Sequence, residues 1–222
     1  MSATLRFLYL EDQSADVELV EAALAREYIA CELSWVNGRA AFESALAGGW
    51  AFDLILADYQ LPDIDGDLAL VLARKYSPNV PFIFISGSLG EEKAVECLRA
   101  GATDYVLKSH LARLGPVVRR ALEEAREANA RREAEAATQR VVALLRATLE
   151  STSEGILVTD LAGRVSTYNR KFMTLCGIPD YVMAPMEMDR VLGFLLDQFQ
   201  DPEAFLAEAR QLIPHPDGES RA

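Results

Sequence analysis

The stretch that decides the fold is Asp53-Leu54-Ile55-Leu56-Ala57-Asp58-Tyr59-Gln60-Leu61-Pro62-Asp63-Ile64-Asp65-Gly66, an apolar run followed by acidic and turn-forming residues. The run is short and continuous, which is typical of a strand buried on both faces of a parallel sheet. The segment after it is rich in Asp, Pro and Gly, which favour turns. A strand that leads through Asp58 into a turn and a helix predicts a βα unit.

Four similar apolar runs surround this stretch and alternate with amphipathic segments. The predicted strands are Leu5–Leu10, Cys31–Val36, Phe52–Ala57, Pro81–Ile85 and Asp104–Leu107. The predicted helices are Ala15–Arg26, Arg39–Ala47, Gly66–Tyr76, Glu91–Ala100 and Leu111–Arg126. This alternation predicts the α/β class, with a flavodoxin-like, doubly wound sheet of five parallel strands covered by helices on both faces.

Polar side chains follow the predicted strands at the edge where the carboxyl ends of parallel strands converge. They are Glu11, Asp12, Asp58, Ser86 and Lys108. Clustered carboxylates repel one another unless they are protonated or bind a divalent cation, and oxygen ligands suit Mg2+. Asp58 is therefore predicted to attack a phosphoryl donor as a carboxylate nucleophile, while the cation and Lys108 neutralise the transferred group.

Four segments resemble the strand-end motifs of the response-regulator receiver family, in the family's order and spacing, and the resemblance covers residues 5 to about 122. They are Phe7-Leu8-Tyr9-Leu10-Glu11-Asp12, the stretch 53–66 quoted above, Phe82-Ile83-Phe84-Ile85-Ser86-Gly87 and Gly101-Ala102-Thr103-Asp104-Tyr105-Val106-Leu107-Lys108. The resemblance implies that Glu11 and Asp12 hold Mg2+. It also implies that Asp58 is both phosphoacceptor and metal ligand, and that the backbone carbonyl of Gln60 is a further ligand.

The resemblance also assigns a switch pair. Ser86 would be drawn toward the phosphoryl group, the ring of Tyr105 would turn inward behind it, and Lys108 would pair with the phosphate. Two departures from the family pattern are Glu11, where many receivers have Asp, and Ser109, where many have Pro. The extra methylene of Glu11 favours a water-mediated metal contact.

Each assignment has an ordinary structural alternative. Asp12 or Ser14 would serve equally well as the N-cap of the first helix. Ser86 and Lys108 taken singly would need no special explanation, and Tyr105 would be an ordinary half-buried strand aromatic. Only the joint placement at four strand ends favours a functional site.

Beyond Val117 the composition changes, because no Pro or Gly occurs before Glu150 and helix-forming residues dominate, which predicts one long helix. One seam of this helix has coiled-coil spacing, formed by Ala130, Ala134, Ala137, Val141, Leu144 and Thr148. The seam is rich in alanine, which buries little. A dimeric coiled coil and a single helix lying on its own domains both remain open.

The region after Ser151 resembles the beginning of a PAS sensor domain. The resemblance is carried by Ser153-Glu154-Gly155-Ile156-Leu157-Val158-Thr159-Asp160 and Tyr168-Asn169-Arg170-Lys171-Phe172-Met173-Thr174-Leu175-Cys176-Gly177-Ile178. A hairpin over 155–169 is predicted, followed by helices over 170–176, 188–199 and 202–212. Since a PAS domain has five strands, we expect its remaining strands to follow residue 222 in a longer sensor protein. The expected layout is a receiver at 4–122, a linker helix at 123–147, an incomplete PAS domain at 148–213 and a frayed tail at 214–222.

The composition of the chain indicates which classes of partner it binds. The net charge is −12 and the pI about 4.7, which argues against nucleic-acid or anionic membrane surfaces and favours protein partners and a cation. No signal peptide or run of about 20 apolar residues is visible, and the three cysteines form no C-x-x-C pair. These features predict a cytoplasmic protein.

The sequence therefore predicts a response regulator of a two-component phosphorelay, phosphorylated by a cognate histidine kinase or phosphotransfer protein. It is expected to be a signalling phosphoacceptor with slow self-catalysed phosphotransfer and dephosphorylation rather than an enzyme, and a homodimer through the linker helix is one option. Two alternatives are a Mg2+-dependent phosphohydrolase on the same sheet and a phosphorylation-independent interaction module. The hydrolase would need a second acid beside Asp58, and Gln60 does not supply one.

Overall fold

The structure is a computed structural model that describes residues 4–87, 91–160 and 164–198. The chain divides into two compact units between Ala134 and Glu135. The predicted helix over 202–212 and the predicted frayed tail lie outside the described residues.

The first unit contains a five-stranded parallel sheet in the order β2-β1-β3-β4-β5. The strands are β1 (Leu5–Leu10), β2 (Cys31–Val36), β3 (Leu54–Asp58), β4 (Phe82–Ser86) and β5 (Asp104–Leu107). The helices are α1 (Ser14–Arg26), α2 (Arg39–Ala47), α3 (Gly66–Tyr76), α4 (Glu91–Arg99) and α5 (Leu114–Ser151), with a short 3-10 helix over Lys108–Arg113. The predicted flavodoxin-like fold is thereby confirmed.

The core lies on both faces of the sheet because successive side chains of a strand point in opposite directions. In β3, Leu54 and Leu56 pack with residues of α1 and α5, such as Val20 and Val118. The alternate side chains of β3 pack with residues of α2 and α3 on the other face. All five strand residues are buried, which explains why β3 reads as an uninterrupted apolar run.

Two helix starts differ from the sequence prediction. The first helix begins at Ser14 and its N-cap is Gln13, which makes no capping hydrogen bond through its side chain, so neither Asp12 nor Ser14 is the N-cap. The last helix begins at Leu114 and includes Gly115 and Pro116. Proline is tolerated in a first helical turn, where its missing N–H has no partner to lose.

The N-terminus of α3 offers a test of local stability. Asp65 is its N-cap, and its Oδ1 accepts a hydrogen bond from the backbone N–H of Leu68 at 2.7 Å. We expect Asp65→Ala to lower the free energy of unfolding by about 1 kcal/mol, since an orphan helix donor loses its partner. Gln13→Ala is the matched control, because that N-cap side chain makes no such bond. Urea denaturation of both variants measures the difference, and equal midpoints would contradict the capping role.

The second unit is built around a hairpin, β6 (Leu157–Thr159) and β7 (Val165–Tyr168), paired antiparallel as the sequence predicted. As far as residue 198, where the described part of the chain ends, three short helices follow: α6 (Arg170–Leu175), α7 (Asp180–Met183) and α8 (Met188–Leu196). The buried amide of Asn169 organises this unit. Its Nδ2 donates to the carbonyls of Leu149 and Glu154 and to the hydroxyl of Thr152, and its Oδ1 accepts the backbone N–H groups of residues 156 and 172.

Candidate functional site

Lys108 lies at the centre of a cluster of carboxylates at the carboxyl edge of the sheet. Its Nζ is 2.9 Å from Oε2 of Glu11, 2.7 Å from Oδ2 of Asp58 and 2.5 Å from Oδ2 of Asp16. Oxygens of the three acids lie within 4.8 Å of one another. Burial lowers the pKa of Lys108, but the hydrogen bonds that the lysine donates to Asp16, Asp58 and Glu11 outweigh burial, so its pKa lies above the usual range. The lysine is therefore a fixed positive charge.

Asp58 is the last residue of β3, and only 5% of it is exposed. Its two oxygens have different partners, since Oδ2 contacts Lys108 and Oδ1 accepts the backbone N–H of Gln60 at 3.1 Å. The Gln60 N–H comes from the turn after the strand, so the local chain path fixes this carboxylate. An oriented carboxylate that is paired with a positive charge at the carboxyl edge of a parallel sheet is suited to nucleophilic attack.

Glu11 is fully buried, and donors contact both of its carboxylate oxygens. Oε2 accepts the Tyr9 hydroxyl at 2.8 Å as well as Lys108, while Oε1 accepts the backbone N–H groups of Asp12 and Gln13 at 3.0 and 3.2 Å. Burial, and then the negative charge of Glu11, raise the pKa of Tyr9 far above its usual range, so the hydroxyl stays a donor. Glu11 is thus held in place from several directions.

Two buried oxygens at this edge have no hydrogen-bond partner within the part of the chain that the structure describes. They are Oδ1 of Asp12, next to Glu11, and Oγ of Ser86, at the end of β4. A buried acceptor without a partner carries a desolvation cost that a cation or a bound group would relieve. Hard oxygen donors beside excess negative charge match the ligands that Mg2+ prefers, so these residues fit a magnesium site.

The structure brings together only part of the predicted set. Glu11, Asp58 and Lys108 are in contact, but Asp12 is not a member of the cluster of oxygens around Lys108. Ser86 is one residue beyond the partner of Asp58 in the β3–β4 register, and Tyr105 lies half-buried in β5.

Asp16, the third residue of α1, was not predicted and joins the cluster instead. From the sequence, Asp16 is indistinguishable from any acidic residue in a first helical turn. Acids are common there because they interact favourably with the helix dipole. The sequence did not single out Asp16, because Asp12 lies before the first helix and the four-residue spacing between the two acids is therefore not a helical turn.

A family model for the response regulator receiver domain matches residues 7–119, just over half of the chain. The chain belongs to the response regulator receiver family. A second family model, for the PAS domain, matches residues 143–213 of the chain, so the receiver is followed by a PAS region.

The receiver is similar to curated regulatory proteins. It is 33% identical over 124 residues to the regulatory protein AtoC of Escherichia coli, covering 55% of this chain and 26% of AtoC. It is 31% identical over 121 residues to the cell cycle transcriptional regulator CtrA of Caulobacter vibrioides, covering 52% of this chain and 51% of CtrA. The chain thus spans between about a quarter and about a half of these relatives.

Solved structures support the same fold. A CheY-like receiver domain protein from Methanospirillum hungatei superposes with a TM-score of 0.50 at 25% identity, covering 56% of this chain and 98% of that chain. These relationships place the receiver among the signalling proteins of two-component systems. Across residues 4–87, 91–160 and 164–198, the structure contains no helix with both the length and the apolar character needed to cross a bilayer.

Proposed function

We propose that this receiver accepts a phosphoryl group on Asp58 in a Mg2+-dependent reaction, from a cognate histidine kinase or phosphotransfer protein. The observation that carries the proposal is the contact of 2.7 Å between Lys108 Nζ and Asp58 Oδ2 within a cluster of three acids. A structural ion pair would need one carboxylate, whereas this lysine contacts three. Such a surplus of negative charge is tolerated where a site is built to bind a cation and an anionic group together.

The chemistry assigned to Asp58 is a simple displacement. An oxygen of its carboxylate forms a bond to phosphorus as the bond from phosphorus to the donor's leaving group breaks, which gives an acyl phosphate. Lys108 stays charged throughout and pairs with an oxygen of the transferred group. Ser86 supplies a buried hydroxyl that has no hydrogen-bond partner among the described residues and donates to the phosphoryl group. Magnesium, when bound, neutralises the remaining negative charge of that group.

The ligands proposed for Mg2+ are Asp12, Asp58 and the backbone carbonyl of Gln60, with Glu11 reaching the cation through water. Asp12 is favoured by its buried Oδ1, which has no hydrogen-bond partner among the described residues. Glu11 is proposed to contact the cation through water rather than directly, because donors already contact both of its carboxylate oxygens.

The proposed switch is Ser86 with Tyr105. Drawing the Ser86 hydroxyl toward the phosphoryl group vacates space behind β4, and the half-buried ring of Tyr105 turns into it. Tyr105 packs at the edge of the core that contains Phe84 and Cys97, so its rotation would alter the surface near α4. This change is proposed to pass along α5 to the PAS region.

The proposed layout is a receiver at residues 4–122, a linker at 123–147 and the PAS region at 148–213, in a protein that works in the cytoplasm. On the linker, Val141, Val142, Leu144 and Leu145 are between 43% and 67% exposed in the single chain. Apolar exposure of this size on a helix favours pairing with a second copy over the single-helix alternative.

The experiment incubates the protein with Mg2+ and either beryllofluoride, as a mimic of the phosphoryl group, or acetyl phosphate. We expect saturable binding that disappears when EDTA removes the metal. Sustained turnover of a small phosphoester would instead favour the phosphohydrolase. That alternative is weakened by the exposed side chain of Gln60, which stands where a proton-donating acid would be needed. The absence of any response would favour the phosphorylation-independent interaction module.

Asp12→Asn tests the metal ligands. We expect the dissociation constant for Mg2+ to rise by roughly tenfold or more, since a charged oxygen ligand becomes a neutral amide. Trp35 is a built-in reporter, because its indole N–H donates to the Glu11 carbonyl oxygen at 2.8 Å. Titration of Mg2+ against tryptophan fluorescence measures the change, and an unaltered constant would remove Asp12 from the site.

A further inference from the structure

Asp16 is the acid that the family resemblance did not assign, and it makes the shortest contact in the cluster. Its Oδ2 is 2.5 Å from Lys108 Nζ, and its side chain is 20% exposed. Among the described residues, the carboxylate of Asp16 contacts Lys108 and no other hydrogen-bond donor. Its place in the cluster therefore depends on the lysine.

The ammonium group of Lys108 has three N–H donors, and three carboxylates take them. An incoming phosphoryl oxygen must therefore displace one of these partners. Glu11 is secured by Tyr9 and two backbone N–H groups besides the lysine, and Asp58 carries the phosphoryl group itself. The contact between Lys108 and Asp16 is therefore the one that the lysine loses most easily, because the carboxylate of Asp16 is held by the lysine alone among the described donors.

We propose that Asp16 is a charge gate for the phosphorylation site, meaning an acid whose negative charge favours the binding of Mg2+ and opposes the binding of the phosphoryl group. This inference rests on the proposed function of Asp58. In the unphosphorylated receiver Asp16 holds Lys108 and competes with the phosphoryl group for it. The same negative charge strengthens the attraction of the site for a divalent cation. Asp16 is a positioning residue that acts through Lys108. It raises the affinity of the site for the metal and lowers its affinity for the phosphoryl group.

A purely structural role predicts a different behaviour. An acid in a first helical turn stabilises the helix by its interaction with the helix dipole, whatever lies beyond the helix. Asp67 provides the comparison, because it occupies the first turn of α3 and pairs with a lysine, Lys93, at 3.1 Å outside the cluster. Asp67→Asn is therefore a matched control that loses the same kind of pair.

The test measures two dissociation constants for the whole chain, for Mg2+ alone and for beryllofluoride at saturating Mg2+. With Asp16→Asn we expect the Mg2+ constant to rise by roughly three- to tenfold, because one negative charge near the cation is lost. We expect the beryllofluoride constant to fall by a similar factor, because Lys108 gains a free N–H and a competing anion is removed. Asp67→Asn should change neither constant.

A double-mutant cycle shows whether Asp16 acts through the lysine. In a Lys108→Ala background, Asp16→Asn should no longer tighten the binding of beryllofluoride, while it should still weaken the binding of Mg2+. Persistence of the tightening without the lysine would overturn the gate.

Failure of the gate and failure of the proposed function are distinguishable. If Asp16→Asn weakens both ligands or changes neither, while the wild type binds beryllofluoride and Asp58→Asn does not, the gate is refuted and the phosphoacceptor role stands. If the wild type and Asp58→Asn bind beryllofluoride equally or not at all, the phosphoacceptor role is refuted and the gate with it.

Discussion

Asp58→Asn is expected to abolish the capture of a phosphoryl group from acetyl phosphate. The amide has nearly the same shape, but it lacks the negative charge and nucleophilic oxygen pair of the carboxylate, so capture should fall by roughly a hundredfold or more. The contact with Lys108 at 2.7 Å also loses its ionic character. Phosphate-affinity electrophoresis after incubation with acetyl phosphate and Mg2+ separates the two forms of the protein.

Asp53→Asn is the matched control for that experiment. Asp53 precedes the opposite end of β3, where its Oδ2 accepts the backbone N–H of Arg6 at 2.8 Å, and an amide oxygen preserves that bond. We expect this variant to capture phosphate as the wild type does. Equal capture by Asp58→Asn and the wild type would show that the phosphate goes elsewhere.

Lys108→Ala is expected to separate metal binding from phosphoryl capture. Removing the ammonium group leaves the carboxylates without their counter-charge, so the affinity for Mg2+ should rise by roughly tenfold. Capture from acetyl phosphate should slow by roughly a hundredfold, since a fixed charge that stabilises the transferred group is lost. Fluorescence titration of Mg2+ and the rate of phosphorylation at saturating Mg2+ measure the two effects.

Lys93→Ala controls for the loss of a lysine that pairs with acids. Lys93 contacts Asp67 at 3.1 Å and Glu96 at 3.2 Å on the surface of the receiver. Exposed pairs of this kind contribute little, so we expect neither metal affinity nor capture to change. A Lys108→Ala variant that lost both Mg2+ binding and capture would indicate a collapsed site rather than an altered charge balance.

The sheet was predictable because burial leaves a plain signature in sequence. The apolar runs coincide with the strands, and β1, β2 and β5 have the bounds that were predicted. The last helix was predicted to begin at Leu111 but begins at Leu114, because the residues before it, Lys108–Arg113, form a short 3-10 helix that the apolar pattern does not distinguish from an α-helix. Local propensity therefore located the elements and left some of their ends uncertain.

The site was less predictable than the fold because side-chain contacts depend on rotamers and on neighbouring elements. Motif spacing predicted that Glu11, Asp58 and Lys108 lie at the carboxyl edge of the sheet, and in the structure Lys108 contacts both acids. It gave no indication that Tyr9 would hold Glu11 or that Asp16 would reach Lys108. Both of these contacts are made by side chains that a sequence reader assigns to the core or to a helix turn.

The central claim is that Asp58 carries the phosphoryl group. Its most direct test is to treat the protein with acetyl phosphate and Mg2+, reduce it with borohydride and map the peptides by mass spectrometry. Reduction converts an acyl phosphate of aspartate to homoserine, so we expect homoserine at position 58. Homoserine at Asp12, Asp16 or another acid with none at position 58, or none anywhere after treatment that modifies a known receiver, would contradict it.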